Sequence, residues 1–500
     1  MNCATNIFTQ TEKTTPELFW AKCQSSVRTL LLTTLLISGT MIYTTSAVHA
    51  FTSNQIEGQD NHIINAQPSA STGTLLVNFE PNTSQTERNA IIARMSGRLV
   101  RWYPEINSAE VEIIANDNTQ ILGYSATLEP SVSYIESNVT VYGVSDGSTD
   151  ERVDGSAEEL AEFEVNDPDF DDPTKSYAPD KIGLTAGWNY TTGSEEVVIA
   201  ILDTGLNLEH PEFAGRIITG YDFVNSDDDP SDDHGHGTHA AGIIAAAVNN
   251  GQGTVGICPS CKIMPVKVLN ENNAGTWALV ASGIRYAVNS GANIINLSLG
   301  AQASNKTIEE AIDYAVSQGV FVIAATGNAA SSSNFYPAAL ENVFAVSATD
   351  QHDNLWSLSN YGDYVDVAAP GHIIYSTYHQ MNNHYNGYIF MSGTSMAAPH
   401  VAGLAGLLLA QDPTRSVDEL ASLIRENADD LGDEGRDDSY GYGRINVHAT
   451  LAADSGVVIS GMPETETDLT PEEEEPNADG PNAEEQEDDN YSLYLPVVQS

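Results

Sequence analysis

Three residues whose side chains together can cleave an acyl bond are spread widely along the sequence. Asp203 closes the apolar run 197–202, His236 stands in His-Gly-His-Gly-Thr-His, and Ser395 stands in Gly-Thr-Ser-Met-Ala-Ala-Pro-His. A serine hydroxyl becomes a nucleophile when a histidine accepts its proton, and a carboxylate holds that histidine in the required tautomer. The three residue types indicate acyl-transfer chemistry, provided that the fold brings them together.

Each of these residues also has a purely structural interpretation. An aspartate at the end of a strand can cap a helix, and a serine before a long apolar helix is a typical N-cap. Zinc accepts the ligand types found around His236, namely His234, His239, Asp232 and Asp233. The spacing is not that of a two-histidine helical zinc motif, however, and Gly-x-Ser-x-Ala around Ser395 disfavours the nucleophile-elbow hydrolases.

A side-chain amide supplies a fourth chemical group. Asn328 ends Ala-Ala-Thr-Gly-Asn, directly after the apolar run 320–325, and its amide can donate to a developing oxyanion. Ser395 at the start of a helix would add backbone N–H groups and a favourable helix dipole. All four residues follow predicted sheet elements or begin predicted helices, which is where open α/β sheets place their active sites.

The elements that must position these residues alternate between strands and helices from about residue 180. Apolar runs predict strands over 197–202, 262–269, 293–299, 320–325, 343–348 and 364–368. Helical patterns occupy 238–248, 277–289, 307–318, 396–410 and 417–428. Apolar strands separated by helices predict βαβ crossovers and a mostly parallel sheet covered on both faces. We therefore expect a three-layer α/β domain over 165–453.

The residues before this domain are typical of an exported precursor. Lys13, Lys22 and Arg28 precede the apolar run 29–43 and the small residues of 46–50, so 1–50 is predicted to be a signal peptide. A membrane anchor is the alternative, but the run is short against the ~20 residues of a spanning helix, so we expect no stable membrane insertion. Strand and helix patterns then predict a small α+β unit within 51–145, followed by an acidic linker over 146–164.

The net charge excludes one class of partner. The chain has 69 Asp and Glu residues against 19 Lys and Arg residues, a formal net charge of −50 at pH 7. Such a charge repels phosphate backbones, so nucleic-acid binding is not expected. Acidic residues dominate 454–500, which is expected to be a disordered tail with an apolar C-terminal end.

Two cysteines remain once the signal peptide is removed. Cys258 and Cys261 stand in Cys-Pro-Ser-Cys, which can close a small local disulfide. Two cysteines alone are too few ligands for a structural zinc site.

Taken in order, the motifs resemble the subtilisin-like serine proteases, and most closely their thermitase-like branch. The matching stretches are 200–205 around Asp203, 235–242 around His236, 296–300, 324–328 and 393–403. The resemblance covers 165–453 and implies a subtilisin-like domain with a mostly parallel sheet. It implies a secreted, monomeric serine endopeptidase that hydrolyses polypeptides with broad specificity through an acyl-enzyme intermediate. It also implies that 51–145 is an inhibitory propeptide, removed by self-cleavage between 144 and 166.

The resemblance assigns a role to each chemical residue. Ser395 would be the nucleophile, His236 the general base and then acid, and Asp203 the carboxylate that orients it. Asn328 and the backbone N–H of Ser395 would form the oxyanion hole. An extended substrate would pair as a strand with Ala274, Gly275, Thr276, Ser298, Leu299 and Gly300. The primary specificity pocket would be walled by Ala325, Thr326 and Gly327, with Thr326 replacing a common Ala and narrowing the pocket.

The resemblance also implies structural calcium. Its ligands would be the side chain of Asn250, the carbonyl oxygens of Val248, Gln252 and Thr254, and the carboxylates of Asp167 and Glu212. Relatives usually have Asp where Glu212 stands. A second site would use Asp222, Asp227 and Asp229, and the alternative for these three is a solvated acidic loop.

Two other functions compete with the endopeptidase. An inactive member of the family would bind peptides without cleaving them. Loss of activity in evolution usually replaces at least one catalytic residue, and here Asp203, His236, Asn328 and Ser395 are all in place. A zinc protein that uses the histidine cluster would respond to chelators and be indifferent to serine-reactive inhibitors.

Overall fold

A computed structural model describes residues 71–113, 129–145, 163–381 and 387–454. The predicted signal peptide, most of the predicted acidic linker and the tail after Asp454 lie outside these residues. Within the described ranges, no helix combines the length and the apolar character needed to cross a bilayer.

The N-terminal part is a small α+β unit. Its elements are β1 (Ser71–Phe79), α1 (Gln85–Arg94), β2 (Gly97–Tyr103), a 3₁₀ turn (Pro104–Ile106), β3 (Ser108–Ile113) and β4 (Val132–Gly143). The strands pair antiparallel in the order β4-β1-β3-β2. Val77 and Phe79 of β1 pack with Ile91 and Ile92 of α1, and Leu76 joins a different apolar cluster. The alternation along β1 therefore gives the sheet two apolar faces.

The larger part begins with two short helices and then alternates strands and helices. Its first half contains α2 (Tyr177–Lys181), α3 (Leu184–Gly187), β5 (Val198–Asp203), β6 (Tyr221–Asp222), α4 (His236–Ala245), β7 (Lys262–Lys267), β8 (Ala274–Thr276), α5 (Trp277–Asn289) and β9 (Ile294–Leu297). Its second half contains β10 (Leu299–Gly300), α6 (Lys306–Ser317), β11 (Phe321–Ala325), β12 (Phe344–Thr349), β13 (Val367–Pro370), β14 (Ile374–Thr377), β15 (Tyr388–Met391), α7 (Thr394–Gln411), α8 (Val417–Glu426) and α9 (Val447–Asp454).

Seven parallel strands form the central sheet, in the order β13-β12-β11-β9-β5-β7-β6. Ile199 and Ile201 of β5 belong to the apolar cluster that contains α4 and α7. Ala200 and Leu202 belong to the cluster that contains α5 and α6. The strand buries both faces because helices cover each side, and the predicted three-layer α/β fold is confirmed.

Some predicted boundaries shift where polar side chains start or end an element. Helix α4 begins at His236, two residues before the predicted start, because the Asp232 carboxylate accepts N–H groups at its N-terminus. The predicted strand 293–299 divides into β9 and β10 at Ser298, whose hydroxyl donates to the carbonyl oxygen of Ser395. The predicted strand 364–368 starts only at Val367, since the Asp366 carboxylate accepts the N–H of the neighbouring strand.

The N-terminal unit packs on the α5 and α6 side of the larger part. Leu76, Tyr103 and Val141 share an apolar cluster with the buried residues of these helices. Glu136 on β4 caps α6, accepting the N–H of Lys306 at 2.8 Å and that of Thr307 at 3.0 Å. The sequence analysis missed this cap because nothing local to β4 indicates which helix it meets.

Cys258 and Cys261 form the local disulfide that their spacing allows. Both residues are fully buried in the cluster on the α4 and α7 side. A Cβ atom on Gly193 would lie 2.4 Å from the sulfur of Cys258, so a residue without a side chain lets this segment approach the disulfide.

Candidate active site

Three elements bring the predicted chemical residues together. Asp203 is the last residue of β5, His236 the first of α4, and Ser395 the second of α7. His236 Nδ1 lies 2.7 Å from Asp203 Oδ1 and 2.9 Å from Oδ2, and Nε2 lies 3.1 Å from Ser395 Oγ. All three residues are fully buried. The result is a continuous hydrogen-bonded chain from carboxylate to imidazole to hydroxyl.

The electrostatics of this chain favour an imidazole that accepts a proton. Burial by itself lowers the pKa of His236, but the charge and hydrogen bond of Asp203 oppose it, assisted by Asp232, and the pKa is raised above the ordinary 6.5. An imidazole with a raised pKa is a stronger base towards the serine hydroxyl.

A network of polar residues that the sequence analysis missed holds α4 in place. The carboxylate of the half-buried Asp232 accepts the Thr204 hydroxyl at 2.8 Å, and the N–H and hydroxyl of Thr238 at 2.9 and 2.6 Å. Thr204 in turn accepts the N–H of Gly237 at 2.9 Å. Asp232 therefore joins the strand end that carries Asp203 to the helix that carries His236.

The histidine cluster of the zinc hypothesis does not converge on one point. Both ring nitrogens of His236 are engaged by Asp203 and Ser395, and His239 Nε2 lies 3.1 Å from the carbonyl oxygens of Ile374 and Ile389. Burial lowers the pKa of His239 to about 3. The part of the chain that the structure describes contains no group of three or more His, Cys, Asp or Glu residues able to hold a metal. The histidine cluster therefore does not support the zinc hypothesis.

Asn328 is oriented by Thr394, the residue before the serine. Its Oδ1 accepts the N–H of Thr394 at 3.0 Å and the Thr394 hydroxyl at 2.9 Å. A Cβ atom on Gly393 would lie 3.0 Å from Asn328 Nδ2 and 2.5 Å from the carbonyl oxygen of Val144. Asn328 Nδ2 and the carbonyl oxygen of Val144 therefore both lie next to Gly393, and the sequence analysis did not identify Thr394 as the anchor of Asn328.

Strand β4 occupies the cleft between β8 and β10 and runs antiparallel to both. Val141 lies opposite Gly275, and Gly143 lies opposite Leu299. Two more backbone hydrogen bonds hold the end of this strand. The N–H of Gly143 donates to the Asn273 carbonyl oxygen at 3.0 Å, and the N–H of Val144 donates to the Ser298 carbonyl oxygen at 3.2 Å. The two edges predicted to bind an extended substrate thus hold an extended segment of this same chain.

This segment ends at the serine. Ser395 Oγ is in contact with the carbonyl oxygen of Val144, although the two residues are 251 positions apart in the chain. The carbonyl group of Val144 therefore lies at the nucleophilic oxygen, and both it and Asn328 Nδ2 lie beside Gly393. Acyl transfer requires Oγ to approach the carbonyl carbon of this bond while the carbonyl oxygen lies at the oxyanion donors.

Comparison with known proteins agrees with this geometry. The model of the subtilase family, peptidase S8, matches residues 194–443. Thermitase from Thermoactinomyces vulgaris is 44% identical over 289 residues, which are 58% of this chain and 99% of that protein. The chain belongs to the subtilase family. It is therefore a serine endopeptidase, a hydrolase that acts on polypeptides.

Two further proteins are similar to this subtilase over different shares of its length. A thermophilic serine proteinase from Bacillus sp. (strain AK1) is 47% identical over 270 residues, 54% of this chain and 65% of that protein. The crystal structure of fervidolysin from Fervidobacterium pennivorans, a keratinolytic enzyme related to subtilisin, aligns with a TM-score of 0.65 at 26% identity. That alignment covers 80% of this chain and 64% of fervidolysin, and it supports the subtilisin-like fold.

The residues predicted to wall a specificity pocket lie at the end of β11. Ala325, Thr326 and Gly327 are buried, and Asn360 Nδ2 donates to the Thr326 carbonyl oxygen at 2.8 Å. The Thr326 hydroxyl donates to the Asn360 carbonyl oxygen at 3.4 Å. Asn360 therefore fixes the backbone of this segment, and the pocket itself stays a prediction.

The predicted calcium ligands lie together around the loop after α4. Asp167 and Glu212 are fully buried, and the Asp167 carboxylate accepts the N–H groups of Asn249 and Asn250 at 2.6 and 3.1 Å. Glu212 accepts the Asn250 amide at 2.8 Å and the Tyr388 hydroxyl at 2.6 Å. Burial raises the pKa of Glu212 to about 7, and the charge of Asp167 adds to this effect.

This donor set fits a hard cation. Two buried carboxylates lie against this loop, whose N–H groups they accept here, and the loop's carbonyl and amide oxygens are of the type that calcium takes. The predicted carbonyl ligands of Val248, Gln252 and Thr254 belong to this same loop, and Gln252 donates its N–H to Asn250 Oδ1 at 2.8 Å.

The predicted second calcium site is not supported. The Asp222 carboxylate accepts the N–H and amide of Asn225 at 2.8 and 2.9 Å, whereas Asp227 accepts the N–H of Asp229. The Asp229 carboxylate accepts the N–H of Ser231 instead. Each carboxylate closes its own local turn because short acidic side chains readily bind the N–H two or three residues on. The alternative of a solvated acidic loop fits Asp227 and Asp229, which are both exposed.

Proposed function

We propose that this subtilase is a secreted endopeptidase made as a self-processing zymogen. Residues 1–50 are the signal peptide, 51–145 the inhibitory propeptide, 146–164 an acidic linker, 165–453 the catalytic domain and 454–500 a solvated tail. The active enzyme is a monomer of broad specificity. The observation that carries the proposal is the Val144 carbonyl oxygen in contact with Ser395 Oγ while β4 fills the cleft.

In the first half-reaction Ser395 acts as the nucleophile. His236 Nε2 takes the hydroxyl proton as Oγ attacks the substrate carbonyl carbon, and Asp203 stabilises the imidazolium. The oxyanion receives hydrogen bonds from Asn328 Nδ2 and from the Ser395 N–H, which lies at a helix N-terminus. His236 then gives its proton to the leaving amine nitrogen. The C–N bond breaks, and the acyl group stays on Ser395.

In the second half-reaction water replaces the amine. His236 takes a proton from the water molecule, whose oxygen attacks the acyl carbon, and the same oxyanion donors act again. Collapse of this intermediate returns the proton to Ser395 Oγ and releases a carboxylic acid. Applied to the chain itself, these steps cut the bond between Val144 and Ser145 and leave residues 51–144 bound as a product-like inhibitor.

Calcium has a structural part in this proposal. Asp167, Glu212, Asn250 and the carbonyl oxygens of Val248, Gln252 and Thr254 would hold the ion. When bound, it neutralises the two buried carboxylates and ties the loop after α4 to residues before α2.

A serine-reactive probe tests the proposal directly. We expect a fluorophosphonate to label the mature wild-type enzyme and not the Ser395→Ala variant. We also expect the wild-type chain to shorten on expression while Ser395→Ala stays longer, with a new N-terminus at Ser145 in the wild type. Equal labelling of both proteins, or a Ser395→Ala chain cut after Val144 with no other protease present, would contradict it.

A further inference from the structure

The Asn273 side chain stands where the side chain of the residue before Val144 would lie. Gly143 occupies this position, called P2 below, when the bond after Val144 is cleaved. A Cβ atom on Gly143 would lie 2.1 Å from Oδ1, 2.4 Å from Nδ2 and 2.5 Å from Cγ of Asn273. Carbon atoms in van der Waals contact need about 3.5 Å. The side chain of Asn273 therefore fills the space that a P2 side chain would take.

The turn before β8 fixes Asn273 beside the substrate strand. Its backbone is left-handed, with φ 55°, and its N–H donates to the Asn270 carbonyl oxygen at 2.9 Å. Its own carbonyl oxygen accepts the N–H of Gly143 at 3.0 Å. The Asn270 side chain closes the turn by accepting the N–H groups of Asn272 and Ala274 at 2.9 and 3.2 Å. The backbone of Asn273 is thus held on both sides.

The Asn273 amide packs against the strand rather than being tied elsewhere. Its Oδ1 is buried and accepts no hydrogen bond within the described part of the chain. The neighbouring positions of the strand are different, since the side chain of Tyr142 is 56% exposed and Val141 is fully buried in an apolar cluster. The side chain of Asn273 therefore restricts the residue at the Gly143 position and not the residues at positions 141 and 142.

From this contact we infer that Asn273 is a specificity-determining residue that selects glycine at P2. The inference rests on the proposed function and defines its substrate class as polypeptides with glycine before the residue whose carbonyl is attacked. A larger P2 residue must push the amide aside or pull the substrate away from β8. Because the clashing atoms are the end of a flexible side chain, we expect the low end of the cost of overpacking, about a fivefold lower kcat/KM for P2 alanine than for P2 glycine, and bulkier residues reduce it further.

The first experiment compares two peptides on the mature enzyme. One carries the chain's own 141–145 sequence, Val-Tyr-Gly-Val-Ser, and the other replaces its Gly with Ala. We expect the wild-type enzyme to prefer the peptide with Gly and the Asn273→Gly variant to lose this preference. Glycine at position 273 adopts the left-handed backbone without strain. Asn272→Gly, at the exposed neighbouring position, is the matched control and should keep the preference.

The second experiment uses the full chain and its own processing. Gly143→Ala should slow the appearance of the Ser145 N-terminus, and adding Asn273→Gly should restore it. A melting curve of Gly143→Ala in the Ser395→Ala background shows whether the single variant folds.

The outcomes separate the inference from the function on which it rests. Equal kcat/KM for the two peptides, normal processing of Gly143→Ala, or an unchanged preference in Asn273→Gly would overturn the inference and leave the endopeptidase intact. Failure of fluorophosphonate labelling together with hydrolysis of neither peptide would overturn the proposed function, and the inference with it.

Discussion

At the scale of single residues, catalysis depends on groups that act as a unit. Replacing Ser395 or His236 with Ala should lower the rate of peptide hydrolysis by a factor on the order of 10⁶. The nucleophile and the base that takes its proton are both needed for the attack. Replacing Asn328 with Ala removes one oxyanion donor and should cost about 10² to 10³ in kcat. Steady-state kinetics on one peptide substrate measures all three variants. Near-normal hydrolysis by Ser395→Ala would contradict the assigned nucleophile.

The pH dependence belongs to the same residues. His236 must be neutral to accept the Ser395 proton, and its pKa is raised above 6.5 because Asp203 outweighs the effect of burial. Activity should therefore rise with pH through an apparent pKa above that of an ordinary histidine. In Asp203→Asn this limb should move to lower pH and kcat should fall by about 10⁴. A wild-type kcat/KM profile with its acid limb below 6.5 would show that Asp203 does not support the imidazolium.

At the scale of elements, the decisive contact is between β4 and α6. The Glu136 carboxylate accepts the N–H groups of Lys306 and Thr307, and this cap joins the N-terminal unit to a helix of the catalytic part. Asn305 is the N-cap residue of α6, and Glu136 adds hydrogen bonds to a charged group, which contribute about 1.5–3 kcal/mol each. Glu136→Ala should therefore release the processed N-terminal unit sooner.

The measurement is the lag between self-cleavage and the appearance of activity towards an added peptide. Glu105→Ala, which changes an exposed glutamate of the same unit, serves as the control and should leave the lag unchanged. A lag in Glu136→Ala as long as in wild type would show that the cap contributes nothing to inhibition.

At the scale of the whole molecule, calcium should couple distant parts of the chain. Asp167, Glu212 and the 248–254 loop meet only in the folded state, so an ion bound there stabilises that state by mass action. The gain is ~2.7 kcal/mol at a calcium concentration one hundredfold above the Kd. We expect chelation to lower the melting temperature of Ser395→Ala, where self-digestion cannot interfere.

Two variants place this effect at the predicted site. Glu212→Asp should bind calcium at least as well as the wild type, and Asn250→Ala should bind it less tightly. Titration calorimetry in the Ser395→Ala background measures both affinities. A melting curve that chelator leaves unmoved would rule out a calcium site formed by these residues.

The sequence by itself determined the layered fold and the identity of the chemical groups. Continuous apolar runs such as 197–202 and 320–325 are local patterns, and a strand buried on both faces requires them wherever it lies in the sheet. The motifs around Asp203, His236 and Ser395 are local too, because each sits where a strand ends or a helix begins.

Only the tertiary structure decided which residues support and occupy that site. Thr394 orients Asn328 and Asp232 joins the two elements of the triad, yet both look like ordinary polar residues in the sequence. Val144 reaches Ser395 across 251 positions, and Asn273 closes the space beside Gly143. Such contacts depend on how separate elements pack against each other. A local pattern records the burial of a residue but not its distant partner, and the packing of the folded chain supplies that partner.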